Sequence, residues 1–228
     1  MRSLTTLTFC SLSLAMLPAT AQAGIALASW SFETSGPGLI LNDNTNSPFA
    51  AAEGGIYGGT ALGIHASSAT DWSSPAGNGS VESFSSNTWT TGDYYQFSTQ
   101  TTDYKNICIE WDQTRSGTGP NDFKLAWSTD GINFTDLISY VVLENGGAPN
   151  AAWNTTTASG AYSFGPEFGP ADLDNQTTIY FRLISLDTTA AAGTNRVDNV
   201  VISGELIPAP GALALLGVAG LAARRRRE

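Results

Sequence analysis

Residues 24–207 predict an all-β fold, an antiparallel β-sandwich of jelly-roll type, on three observations. Short runs of β-branched and aromatic residues recur along the chain, divided by clusters of Gly, Asn, Asp, Ser and Pro. No long amphipathic helix interrupts them. Strands therefore do not alternate with helices, which separates this pattern from a parallel α/β sheet.

The strands are read in order. Residues 25–33 open with Ile25, Leu27 and Ser29 on one side and Ala26, Ala28, Trp30 and Phe32 on the other. From 34 to 91 the chain is rich in Gly, Ser, Asn and Ala, and only 55–57 and 61–65 read as short strands. Residues 94–99 resume a strand. The clearest run is 106–115, where Ile107, Ile109 and Trp111 form an inward stripe and Cys108, Glu110 and Asp112 an outward one. Residues 117–120 turn the chain into 123–128, whose inward stripe is Phe123, Leu125 and Trp127. Asp130-Gly131 is a hairpin signal, since Gly accepts a positive φ; 132–135 would return along that hairpin and 137–143 would form a further strand. Residues 178–186 are nearly continuous in apolar and β-branched side chains, as in a central strand covered on both faces. Residues 196–203 set Val197, Asn199 and Val201 against Asp198, Val200 and Ile202.

Composition limits the function. Only Lys105, Arg115, Lys124, Arg182 and Arg196 of the ten basic residues lie in 24–207, against nineteen of the twenty acids, a net charge of −14. Nucleic acid is a poor partner for that surface, because such affinity rests on neutralising phosphates with Lys and Arg. Cys108 is the one cysteine of this region, so a disulfide staple within it is ruled out and the core must hold the fold.

Candidate chemistry is sparse, and no enzyme is expected. His65 is the only histidine and has no nucleophile motif beside it; it reads as a loop or strand-end residue. Zinc lacks enough nitrogen and sulfur ligands. Glu110 and Asp112 lie two apart on one strand face, about 6–7 Å, a spacing that suits a glycosidase pair, yet the face reads as solvent-exposed and no second motif supports hydrolysis. No cofactor is expected beyond a structural Ca²⁺, for which Asp172, Asp174, Asn175 and Asp198 are the oxygen-bearing candidates. Trp72, Trp89, Tyr94 and Tyr95 fall in or beside polar loops, where rings can stack on sugar faces; Trp30, Trp111 and Trp127 alternate in strands and read as core.

The ends carry transport signals. Arg2, the mostly apolar 4–17 and the small residues Ala21 and Ala23 before Gly24 read as a signal peptide over 1–23, cut by signal peptidase. Residues 208–228 hold Pro208-Ala209-Pro210, thirteen mostly apolar residues beginning at Gly211, then Arg224, Arg225, Arg226 and Arg227. A helix of that apolar run spans about 20 Å, short of the roughly 30 Å of hydrocarbon, so it suits a transient inner-membrane tether with its basic end in the cytoplasm. This three-part order resembles the PEP-CTERM sorting signal of Gram-negative bacteria, with Pro208-Ala209-Pro210 where the family has Pro-Glu-Pro. The resemblance covers 207–228 and implies an exosortase-like processing enzyme as partner, with delivery to the cell surface, outer envelope or medium. Residues 127–134 and 197–202 look like the strand-turn-strand and terminal strand of galactose-binding-like and discoidin jelly rolls. The expected function is an exported, non-catalytic envelope or matrix protein. The alternative is a carbohydrate-binding module with extracellular polysaccharide as partner; a glycoside hydrolase ranks behind both.

Overall fold

The computed structural model describes residues 24–208; the signal segment and the apolar and arginine parts of the tail lie outside them. Among the described residues no helix is long and apolar enough to cross a membrane. Twelve strands are formed: β1 (Ile25–Trp30), β2 (Thr45–Ala51), β3 (Gly59–Ile64), β4 (Trp72–Ser73), β5 (Phe84–Ser86), β6 (Tyr94–Thr99), β7 (Tyr104–Arg115), β8 (Asp122–Ser128), β9 (Thr135–Val141), β10 (Ser163–Phe168), β11 (Ile179–Ser185) and β12 (Asn195–Leu206). Two short 3-10 turns, Gly160–Tyr162 and Ala171–Leu173, flank β10.

The strands form two six-stranded sheets, both antiparallel. One sheet runs β10-β7-β12-β5-β4, with β1 added to β12; the other runs β2-β3-β6-β11-β8-β9. From β5 onward the chain passes repeatedly from one sheet to the other, as a jelly roll does. The inward faces meet in one core built around Trp30, Phe32, Trp72, Phe84, Tyr95, Phe97, Trp111, Phe123 and Phe181. Its rings meet mostly tilted or edge-to-face, as Trp30 on Phe97 and Phe32 on Phe84 do, the arrangement their quadrupoles favour. Cys108 is buried and free, in keeping with a fold held by this core.

Several expectations are corrected. Residues 55–57 form no strand, although Ser29 and Gly54 make a single bridge that ties this loop to β1. Residues 132–134 stay in the loop after β8, and 135–141 make one strand rather than two. The outward residues of β11, Tyr180, Arg182 and Ile184, are half-buried while their neighbours are fully buried, so this central strand is covered on one face only. Trp127, expected in the core, is only partly buried against its edge.

The largest correction is in β12. Its pairing with β7 shifts between Asp198 and Val201, and Asn199 has φ of 49°. This bulge resets the alternation, so Val197 and Val200 both enter the core and Asp198 is left on the far side of the sheet.

Candidate functional site

The outward face of the second sheet gathers the exposed chemistry. Register sets Leu62 beside Gln96, Gln96 beside Arg182, Arg182 beside Ala126 and Ala126 beside Asp136, a row across β3, β6, β11, β8 and β9. Arg182 is its centre. Its Nε donates to Gln96 Oε1 at 2.8 Å, and its guanidinium carbon lies 3.9 Å from the Tyr94 ring centroid and 3.7 Å from that of Phe134. Both rings are half-buried, so each keeps surface towards solvent. Tyr94 sits at the start of β6, diagonal to Arg182 in the register.

Phe134 comes from the 129–134 loop, which Asp130 organises. Asp130 Oδ1 accepts the backbone N–H groups of Ile132 and Asn133, each at 2.8 Å, and Oδ2 accepts Asn133 Nδ2 at 2.7 Å. These bonds, that of the Asn133 side chain foremost, hold the Asp130 carboxyl far below the usual carboxylate range. Gly131, at φ of 73°, makes the turn, and a Cβ there would come 3.0 Å from the Tyr180 ring. The Asp-Gly signal thus sets a longer loop than the two-residue hairpin it suggests.

Next to this row Thr60, Ser98 and Tyr180 line up across β3, β6 and β11. They lead to an open cleft of about 360 Å³ lined by Thr60, Ser98, Thr99, Gln100, Thr177 and Thr178. Aromatic surface, a fixed guanidinium and a run of hydroxyls suit a polyol ligand, with ring faces for C–H surfaces and donors and acceptors for hydroxyl groups.

Of the four aromatics singled out as exposed, only Tyr94 is at this surface. Trp72, Trp89 and Tyr95 are corrected to core, at 0, 1 and 0 % exposure. The polar segments around them fold inward because each ring finds a partner for its polar atom. Trp72 Nε1 donates to Asp43 O at 2.7 Å, Trp89 Nε1 to Ser86 O at 3.1 Å, and Tyr95 Oη to Asn195 O at 2.9 Å.

His65 follows β3 directly, as expected of a strand-end residue, and is buried among these rings. Its ring centroid is 4.8 Å from that of Trp72 and 4.3 Å from that of Trp89. Its Nδ1 lies 3.4 Å from Asp93 Oδ2 and 3.2 Å from Thr70 Oγ1, and its Nε2 3.3 Å from Ser86 Oγ. A serine, a histidine and an aspartate thus stand in line, an arrangement the sequence does not announce because Ser86 lies 21 residues from His65 and the three share no motif. Burial pushes the imidazole down to about 4, and Ser86 is only 1 % exposed. Trp72, Trp89 and Tyr95 cover the group, so no substrate carbonyl can reach Ser86 Oγ.

The carboxylates are also re-placed. Glu110 is exposed, but Asp112 is 8 % exposed and accepts hydrogen bonds from Ser163 Oγ at 2.5 Å, Asn199 Nδ2 at 2.8 Å and Asn78 Nδ2 at 2.9 Å. The solvent-facing reading of that strand face fails for Asp112 because β10 and the 76–80 segment cover it. Asp198 stands in the same cluster, taking bonds from Ser80 Oγ at 2.5 Å, the N–H of Asn199 at 2.7 Å and that of Asn78 at 2.8 Å. Burial pushes its carboxyl up to about 7, and the charge of Asp112 adds to the rise. A cavity of about 280 Å³ adjoins, lined by Glu110, Asp112, Ser163 and Asn199.

The calcium candidates do not converge. Asp172 is exposed in its 3-10 turn, Asp174 is half-buried, and Asn175 Oδ1 accepts the backbone N–H of Asp103 at 2.9 Å. Asp198 belongs to the separate cluster just described. Among the described residues no group of three or more His, Cys, Asp or Glu side chains is placed to hold a metal ion.

No family model matches the chain, and no curated protein does. Among solved structures it is similar to a cleaved adhesin domain of Lys-gingipain from Porphyromonas gingivalis, at 17 % identity over 79 % of this chain and 99 % of that one, with a TM-score of 0.44. It is also similar to the module TmCBM61, solved with β-1,4-galactotriose, at 9 % identity over 77 % and 99 % of the two chains and a TM-score of 0.41.

Proposed function

We propose that residues 24–207 are a non-catalytic glycan-binding domain of an exported protein, with its ligand lying across the outward face of the β3-β6-β11-β8 sheet. The carrying observation is the Arg182 guanidinium held over Tyr94 and Phe134, beside a cleft walled by Thr and Ser hydroxyls. The carboxylates support a binding role over hydrolysis: Asp112 is spent on three hydrogen bonds and so is not free to shuttle protons. In affinity electrophoresis through gels loaded with soluble polysaccharides, the wild-type domain should be retarded by at least one of them. Tyr94→Ala should weaken that retardation by about threefold to tenfold, the worth of one aromatic contact. Absence of retardation across neutral and acidic polysaccharides alike, or a Tyr94→Ala protein that binds as wild type does, would sink this reading.

Delivery to the envelope is a second, compatible part of the reading. It is supported by the order of Pro208-Ala209-Pro210, the apolar run and Arg224 to Arg227. In this reading an exosortase-like enzyme removes the tail after transient inner-membrane tethering, and the domain ends at the cell surface or in the medium. Intact-mass analysis of tagged protein should show Arg224 to Arg227 lost in cells with that enzyme and retained in cells without it. Retention in both strains would replace sorting by a plain short anchor.

A further inference from the structure

Resting on the glycan-binding reading, we infer that the ligand is an acidic polysaccharide, whose uronate carboxylate docks on the terminal amino groups of Arg182. The guanidinium carries five N–H donors, and among the described residues only the Nε donor has a protein acceptor, Gln96 Oε1. The other two guanidinium groups of the domain lie away from this face, Arg115 in β7 and Arg196 in β12 of the opposite sheet. Arg115 donates to the carbonyls of Val142, Ser116 and Gly117, and Arg196 to that of Ala76.

Among the described residues no carboxylate pairs with Arg182, although acids outnumber bases nineteen to five in 24–207. Among the described residues the one pair of a Lys or Arg with a carboxylate is Lys124 with Asp136. Asp136 stands in the same cross-strand row and is taken by Lys124 at 2.9 Å. The half-buried guanidinium thus keeps its terminal N–H donors open to an acceptor from outside. Burial lowers the Arg182 pKa somewhat, yet an arginine stays charged at neutral pH.

Geometry selects the kind of anion. With Tyr94 and Phe134 both within 4 Å of the guanidinium carbon, the faces of the group are covered and its in-plane edge is what remains for an acceptor. Two parallel N–H bonds from that edge match a planar carboxylate. The hydroxyls of Thr60 and Ser98 and the Tyr180 ring, in the next row, fit the neutral parts of the same sugar chain. Remote acids of the domain do not prevent this, since at about 0.15 M salt charges beyond roughly 8 Å are screened.

The test is isothermal titration of the wild-type domain with polygalacturonate, alginate and hyaluronan oligosaccharides, each beside its carboxyl-reduced counterpart, at 0.15 M NaCl with a chelator present. At least one acidic chain should bind about tenfold or more tightly than its reduced form. Arg182→Gln should abolish that difference and Arg182→Lys should lose most of it, with thermal melts confirming that both variants fold. If reduced and acidic chains bind equally, the uronate inference fails while the glycan-binding reading stands. Discrimination that survives in Arg182→Gln also overturns it. If no acidic or neutral chain binds, the glycan-binding reading itself fails.

Discussion

Trp72→Ala is expected to lower the stability of the domain by about 3–5 kcal/mol, the usual loss when a large aromatic leaves a packed core. Trp72 has no exposed surface and lies against Phe84, Tyr95 and His65, with ring centroids 5.3, 6.4 and 4.8 Å away. The sheet opposite is cut to fit it, since a Cβ at Gly63 would drive into the indole ring. Removing the indole also leaves Asp43 O without its donor. Urea denaturation measures the loss, and Trp72→Phe should recover part of it. A neutral Trp72→Ala would mean that this ring is at the surface after all.

The second large effect is on the pH dependence of stability, where two buried groups oppose each other. Asp198 is raised in the folded state from an ordinary 3.8 to about 7, so its contribution is fully present below 3.8 and is lost as pH rises through 7. His65 is lowered from 6.5 to about 4, so its contribution is present above 6.5 and is lost as pH falls through 4. Between pH 6.5 and 4 the two nearly cancel, with Asp93, raised by burial, on the side of Asp198. Glu53 acts lower still: burial would raise it, but donors on Ser31, Thr34 and Ser35 hold it at about 2, so its stabilisation fades only below pH 4.5.

The wild-type melting temperature should therefore change little from pH 6.5 to 4.5. In Asp198→Asn it should fall over that range, and in His65→Gln it should rise, each tracking a stability change of up to about 1.4 kcal/mol per pH unit. Two variants with the flat profile of the wild type would remove both groups from the account.

Much of the fold was legible because its longest strands obey simple alternation. Residues 94–99 match β6 to the residue, and β7, β8, β11 and β12 extend or trim their sequence runs by one to three residues. β2, β4, β5 and β10 were not read, since they are short, hold Pro48 and Pro166 or are rich in serine, and gain their stability from neighbouring strands. The Asp198–Asn199 bulge was equally hidden, because a positive φ at Asn leaves no mark on the hydrophobic pattern.

The site was legible only at Tyr94. Period-two geometry puts Tyr94 and Tyr95 on opposite faces, so the two cannot both have been exposed, and Tyr95 shares its face with buried Phe97. Gln96 follows Tyr94 by two in β6, but Arg182 and Phe134 come from other points of the chain, and nothing local in sequence says that they meet it.

The place of β12 has a mechanical consequence. This strand leads directly to Pro208 and lies along β7 on one side, with β5 and then β1 on the other. A pull on the C-terminal end would act along the strand, loading these ladders in shear so that many hydrogen bonds share the force at once. A domain hung from a surface by that end, with flow dragging on whatever it holds, would be gripped at its most force-resistant strand.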